Sequence, residues 1–266
     1  MEMKRLAWTV TGLLVLGAAP ALAADLPARV YTKAPPMVAP IYNWSGFYIG
    51  LDGGGGSAHK CWDNNNLGGV AVPVTAEGCH DATGGLVGGQ IGYRWQATNW
   101  VFGLEAQGDW ADLTGSNTSA LFGPVAAPFG VGFTNNTKVD AIGLFTGQVG
   151  YAWNNVLWYV KGGAAVTHDK YSGVASVAFA SVAFDNASET RWGGTVGTGI
   201  EIGFAPGWSV GFEYNHLFMG SANNTFTFAP VTTLVGTSRV DNIREDVDMG
   251  TIRLNYTFGG PVVARY

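Results

Sequence analysis
Four histidines and two cysteines are where this 266-residue sequence could keep catalytic or metal-binding chemistry. A hydrolytic site needs a nucleophile, a base and an orienting acid that meet in the fold. Ser209 and Glu213 fall on one side of a period-two strand, and His216 does not obviously share it. His59, His80 and His168 lie in segments that read as loops. No Ser/His/acid set stands at usable spacing, so no enzyme activity and no catalytic residue are expected. Cys61 and Cys79 share a stretch crowded with Gly, Asn and Asp. In an exported chain such a pair reads as a disulfide, worth roughly 3 kcal/mol on the chain-entropy account. His59 and His80 flank the pair, which leaves a Cys/His zinc site as the alternative. The Gly53–Gly56 and Gly84-Gly85 runs precede no Gly-Lys-Ser/Thr and so are strand glycines, not phosphate loops. Asp63-Asn64-Asn65-Asn66 fits no calcium-loop spacing. No cofactor and no metal are expected.

The elements that carry these residues are strands. After Trp44 the sequence alternates with period two in eight segments, near 44–56, 83–95, 100–111, 138–153, 156–166, 190–205, 208–220 and 247–258. In the third, Phe102, Leu104 and Trp110 alternate with Glu105, Gln107 and Asp109. In the eighth, Ile252, Leu254, Tyr256 and Phe258 alternate with Thr251, Arg253, Asn255 and Thr257. Each segment is long enough for a tilted membrane strand of about 9 to 11 residues. The connections alternate in length. Long ones, read as loops, occupy 57–82, 112–137, 167–189 and 221–246. Short ones are Gln96-Ala97-Thr98-Asn99, Asn154-Asn155 and Pro206-Gly207. Short turns on one side and long loops on the other are the asymmetry of outer-membrane barrels.

The ends and composition agree. Lys4 and Arg5, the apolar Leu6–Leu16 stretch and Ala21-Leu22-Ala23 make residues 1–23 a secretory signal. Residues 24–43 carry Pro27, Pro35, Pro36 and Pro40 and read as a proline-rich periplasmic leader. The barrel is assigned to 44–258 and a tail to 259–266. Only 12% of residues are charged while 13% are aromatic, yet no further apolar run reaches the length of a membrane helix. A closed barrel is the other structure that satisfies its backbone inside lipid. The net charge of −5 offers nucleic acid no basic patch.

If the apolar face meets lipid, the charged face fills the lumen. Arg94, Lys161 and Arg253 then point inward with Glu105, Glu201 and Glu213, three of each sign, and should form one buried network. Trp44, Trp95, Trp100, Trp153, Trp158 and Trp208, with Tyr256 and Phe258, sit at strand ends beside the short turns, where an aromatic girdle meets the headgroups. Trp110 and Trp192 would form a sparser second girdle. The fold expected is all-β: an eight-stranded, antiparallel, up-and-down transmembrane barrel.

Ala24-Asp25-Leu26-Pro27-Ala28-Arg29, Lys33-Ala34-Pro35, Tyr42-Asn43-Trp44-Ser45-Gly46-Phe47-Tyr48-Ile49-Gly50 and the tail Gly259–Tyr266 resemble the small outer-membrane immunogenic and porin-like barrels of alphaproteobacteria. The resemblance implies a barrel similar to the transmembrane domain of OmpA, with envelope-stabilising and surface-antigen roles. Two departures stand out: Thr146 and Gln148 occupy positions where arginine is expected, and the first loop carries cysteines. Tyr256-Thr257-Phe258 resembles the signal read by the outer-membrane assembly machinery. Outer-membrane lipids, lipopolysaccharide and that machinery are the expected partners, with host or cell-surface contacts through the loops. A narrow diffusion pore is the rival role, and a lipid-modifying enzyme at the rim a remoter one.

Overall fold
A computed structural model describes residues 42–120, 131–177, 180–229 and 236–259. The signal segment 1–23, all of the leader except Tyr42 and Asn43, and tail residues 260–266 lie outside them. Eight strands follow one another: β1 (Gly46–Leu67), β2 (Val70–Ala97), β3 (Trp100–Thr118), β4 (Val131–Trp153), β5 (Val156–Val177), β6 (Ala180–Ala205), β7 (Trp208–Phe228) and β8 (Thr237–Phe258). Each pairs antiparallel with the next, and β8 closes on β1 from Phe47↔Phe258 up to Leu67↔Arg239. In the lower barrel closure leaves no unpaired edge, which is the condition for strands to cross lipid; higher up the β6–β7 ladder is interrupted between Asn186↔Thr227 and Gly194↔Phe218.

The short turns fall where the sequence placed them. Thr98 and Asn154 adopt left-handed backbone, and Gly207 follows Pro206 in the third turn. The opposite end departs from expectation. The four long connections are largely not loops: β1 and β2 run on through 57–82 to meet at Gly68-Gly69, and the other six strands extend likewise. Both glycines of that turn have positive φ (61° and 85°), the conformation a two-residue hairpin requires and L side chains resist.

The reason is a change of phase. Near the short turns the apolar residues point out: Ile252 is 64% exposed and Phe102 47%. Higher up the same strands turn their apolar residues in. On β8, Ile243, Val247 and Met249 are buried while Arg244 and Asp248 are exposed. The lower part is built for lipid outside, the upper part for water outside. A search for lipid-facing apolar residues therefore ends each strand too early.

The interior is tiered. Above the charged residues of the lower barrel lies an apolar cluster that includes Leu86, Leu113, Val139, Leu144, Leu217, Val247 and Met249. Above it, Trp62, Tyr171, Phe226 and Ile243 form a second cluster.

Candidate functional site
The lumen is where side chains with chemical potential converge. In the lower barrel the six residues expected to form the network meet. Arg94 on β2 reaches across to Glu201 on β6 with two parallel bonds of 2.9 and 2.6 Å, the fork geometry that suits guanidinium to carboxylate. Arg253 on β8 donates to Glu213 and to Glu105. Lys161 on β5 bridges the same two acids, 2.9 Å from Glu105. Tyr48 and Tyr159 donate to Glu105 and Glu213, each at 2.6 Å. Asn255 and Ser209 donate to Glu201, both at 3.0 Å. All six charged residues are 5% exposed or less, and at that depth only such saturation makes charge tolerable.

Two glycines make room for the aromatic partners. A Cβ on Gly92 would stand 2.5 Å from the Tyr48 ring, and one on Gly199 the same distance from Tyr159. The rings therefore lie flat against bare backbone. The Arg94 guanidinium sits 4.3 Å from the centroid of Tyr48, close enough for cation–π attraction. Thr146 and Gln148 are buried here, and Gln148 lies 3.4 Å from the Tyr48 hydroxyl.

Trp44 is a correction. Instead of joining the outward girdle it is fully buried and packs with Val101, Ala152, Leu157 and Tyr159, with Tyr42 against it. It precedes the first residue of β1, so no strand alternation fixes its side, and its apolar area is better removed from water inside the barrel mouth. Its backbone N–H donates to Gln96 at 2.9 Å. Tyr42, assigned to the leader, is thus part of this plug. The other girdle residues project outward: Trp95, Trp100, Trp153, Trp158, Trp208 and Phe258 are 40–53% exposed, and Tyr256 packs on Trp208. Trp110 and Trp192 project outward near the upper limit of the apolar exterior.

Two further charged tiers were missed in the sequence because all their members but Arg191 fall in the segments read as loops. Lys60 lies 2.6 Å from Asp169 and 2.8 Å from Glu245, with Arg191 nearby. Burial outweighs the pull of Lys60 and pushes Glu245 up to about 7. Higher still, Arg239 joins Glu77, Asp185 and Asp241 at 3.0–3.3 Å, and Asn135 also accepts from it. Burial likewise pushes Asp241 up to about 6 against the pull of Arg239. The signal that could have found both tiers is the unbroken alternation Ala58, Lys60, Trp62, Asn64, all buried, with Cys61 and Asp63 between them on the other face.

Cys61 and Cys79 are register partners and form the disulfide. His80 turns away to Thr137. Ser209 donates inward to Glu201, whereas His216 meets Asp248 on the outside, so these two do not come together.

The outer membrane protein beta-barrel domain matches residues 9–258. No curated protein matches the chain. Among solved structures, neisserial surface protein A is 14% identical, covering 80% of this chain and 98% of its own, at a TM-score of 0.35. OprG from Pseudomonas aeruginosa is 12% identical over 83% and 100%, at 0.42. The outer membrane protease OmpT from Escherichia coli is 11% identical over 80% and 97%, at 0.43. With a ring of eight strands and a domain match over nearly its whole length, the chain belongs to the outer membrane protein beta-barrel family and is a protein of the outer membrane.

Proposed function
We propose that this protein is a structural, non-catalytic barrel that strengthens the envelope and holds its upper hairpins at the cell surface for contact with other surfaces. In this reading residues 1–23 are cleaved on export, and the chain is a member of the alphaproteobacterial immunogenic and porin-like group. Its partners are the assembly machinery, outer-membrane lipids and lipopolysaccharide, and its lower aromatic residues form the girdle at the headgroups. The observation that carries the proposal is the tiering of the interior. A conducting path would have to pass Trp44, the Arg94–Glu201 and Arg253–Glu105–Glu213 tier, an apolar tier, and the two upper charged tiers in turn. Opening any charged tier would strand a buried ion.

Planar-bilayer recording of the purified protein tests the reading. A flat baseline is expected, and reproducible single-channel steps would favour the narrow diffusion pore instead. Unaltered lipid A in a host expressing the protein is expected of a non-enzyme, and modified lipid A would reassign it.

A further inference from the structure
The disulfide has neighbours that a plain staple does not need. Cys61 and Cys79 face outward from the upper wall of the barrel, where the exterior is built for water; Cys79 is exposed and Cys61 half-buried. Two residues before Cys61 and on the same outer face stands His59. Its Nε2 lies 3.6 Å from Cys61 Sγ, and its Nδ1 lies 2.6 Å from Asp81 Oδ1. An ionised carboxylate only accepts, so Asp81 fixes the tautomer with the proton on Nδ1 and leaves Nε2 free toward the sulfur. On the other side, the β1–β8 register sets the exposed Arg244 opposite Cys61, a cation of the sort that favours thiolate. His168 and His216 are also held by aspartates on the outer wall, but neither has a sulfur beside it among its hydrogen-bond partners.

We propose that Cys61–Cys79 is an exchange site for small thiols, with His59 moving the proton, Asp81 orienting His59, and Cys79 the sulfur that is attacked. A thiol that has ionised in solution, with His59 Nε2 taking up the proton through the water, attacks Cys79 Sγ in line with the S–S bond and forms a mixed disulfide there, while the Cys61–Cys79 bond breaks. Its electron pair leaves on Cys61 Sγ, which takes the proton held on Nε2, 3.6 Å away. A second molecule of the thiol attacks the mixed disulfide, releasing the oxidised small-molecule disulfide and leaving two protein thiols. Two thiols are oxidised and one disulfide is reduced, so the small thiol is the reductant. The β1–β2 ladder on both sides of the cysteines holds the hairpin through the cycle.

The test uses the folded protein in detergent micelles, treated with glutathione and quenched with a maleimide, with mixed disulfide and free thiols read by intact mass. His59→Asn should slow the reaction by at least about tenfold, below the usual hundredfold or more of general acid–base catalysis because the site is wet. It should also erase the imidazole inflection from the pH–rate profile. Asp81→Asn should give a smaller loss, and His168→Asn none. His59→Gln serves as a second variant, and heat-modifiable gel migration checks that each barrel is closed. A rate and pH profile for His59→Asn matching the wild type would overturn the proposal. So would a wild-type disulfide that glutathione reaches only after the barrel is unfolded.

Discussion

At the scale of single residues, the interior charges were legible and their partners were not. Period-two alternation assigns Arg94, Glu105, Lys161, Glu201, Glu213 and Arg253 to one face of their strands, and a barrel set in lipid turns that face inward when the other is greasy. Pairing is a different matter, because it crosses the lumen: Arg94 on β2 meets Glu201 on β6, and no local pattern relates strands that share no ladder. Trp44 shows the other limit, since a residue outside the ladder has no phase to read. The Arg94–Glu201 pair gives a direct prediction. Arg94→Ala leaves a buried carboxylate without its counter-ion and should destabilise the folded barrel by about 3–5 kcal/mol, measured by urea unfolding in detergent. Replacing both partners with methionine should recover much of that loss, because neither charge is then stranded. Equal destabilisation of the single and double variants would mean that packing, not charge, dominates at this site.

At the scale of elements, the lower ends of the strands were legible because proline, asparagine and glycine mark the turns there. The upper ends were not. The rule that finds a membrane strand looks for apolar residues on the outer face, and above Ile252 on β8 they stand on the inner one. Half of each hairpin was therefore taken for loop, and with it Lys60, Asp169, Arg239, Asp241 and Glu245. These tiers carry a pH dependence. Glu245 and Asp241 both hold their protons more tightly in the fold than a free carboxylic acid does. These two acids thus bind more protons in the folded state than in the unfolded one between about pH 4 and pH 7, and their contribution to stability falls as pH rises through that window. Amide exchange along the upper half of β8, corrected for intrinsic rate, should show more protection near pH 5 than near pH 7.5. The reverse order would mean that the Lys60 and Arg239 pairs govern the titration.

At the scale of the whole molecule, closure is the property that sets behaviour. All eight ladders run through consecutive strands and the last returns to the first, so the lower barrel has no free edge, while higher up the β6–β7 ladder is interrupted over 187–193. The unboiled protein in dodecyl sulfate should migrate apart from the boiled one, and a single band in both lanes would contradict a closed cylinder. Whole-chain class was the most legible level of all, since the spacing of short turns and the scarcity of charge already confine the chain to a barrel. The continued strands also set a height. Roughly ten residues of β1 and of β2 stand beyond the lipid-facing belt, which at about 3.3 Å each and a tilt near 40° lifts the Gly68-Gly69 tip ~25 Å. Because hydrogen-bonded wall replaces slack tether over that rise, the Gly68-Gly69 tip is carried on a stiff pedestal. If the upper hairpins face away from the cell, as proposed, whatever approaches would meet that apex before it could touch the bilayer, and the protein would act as a fixed-length spacer rather than a sweeping tentacle.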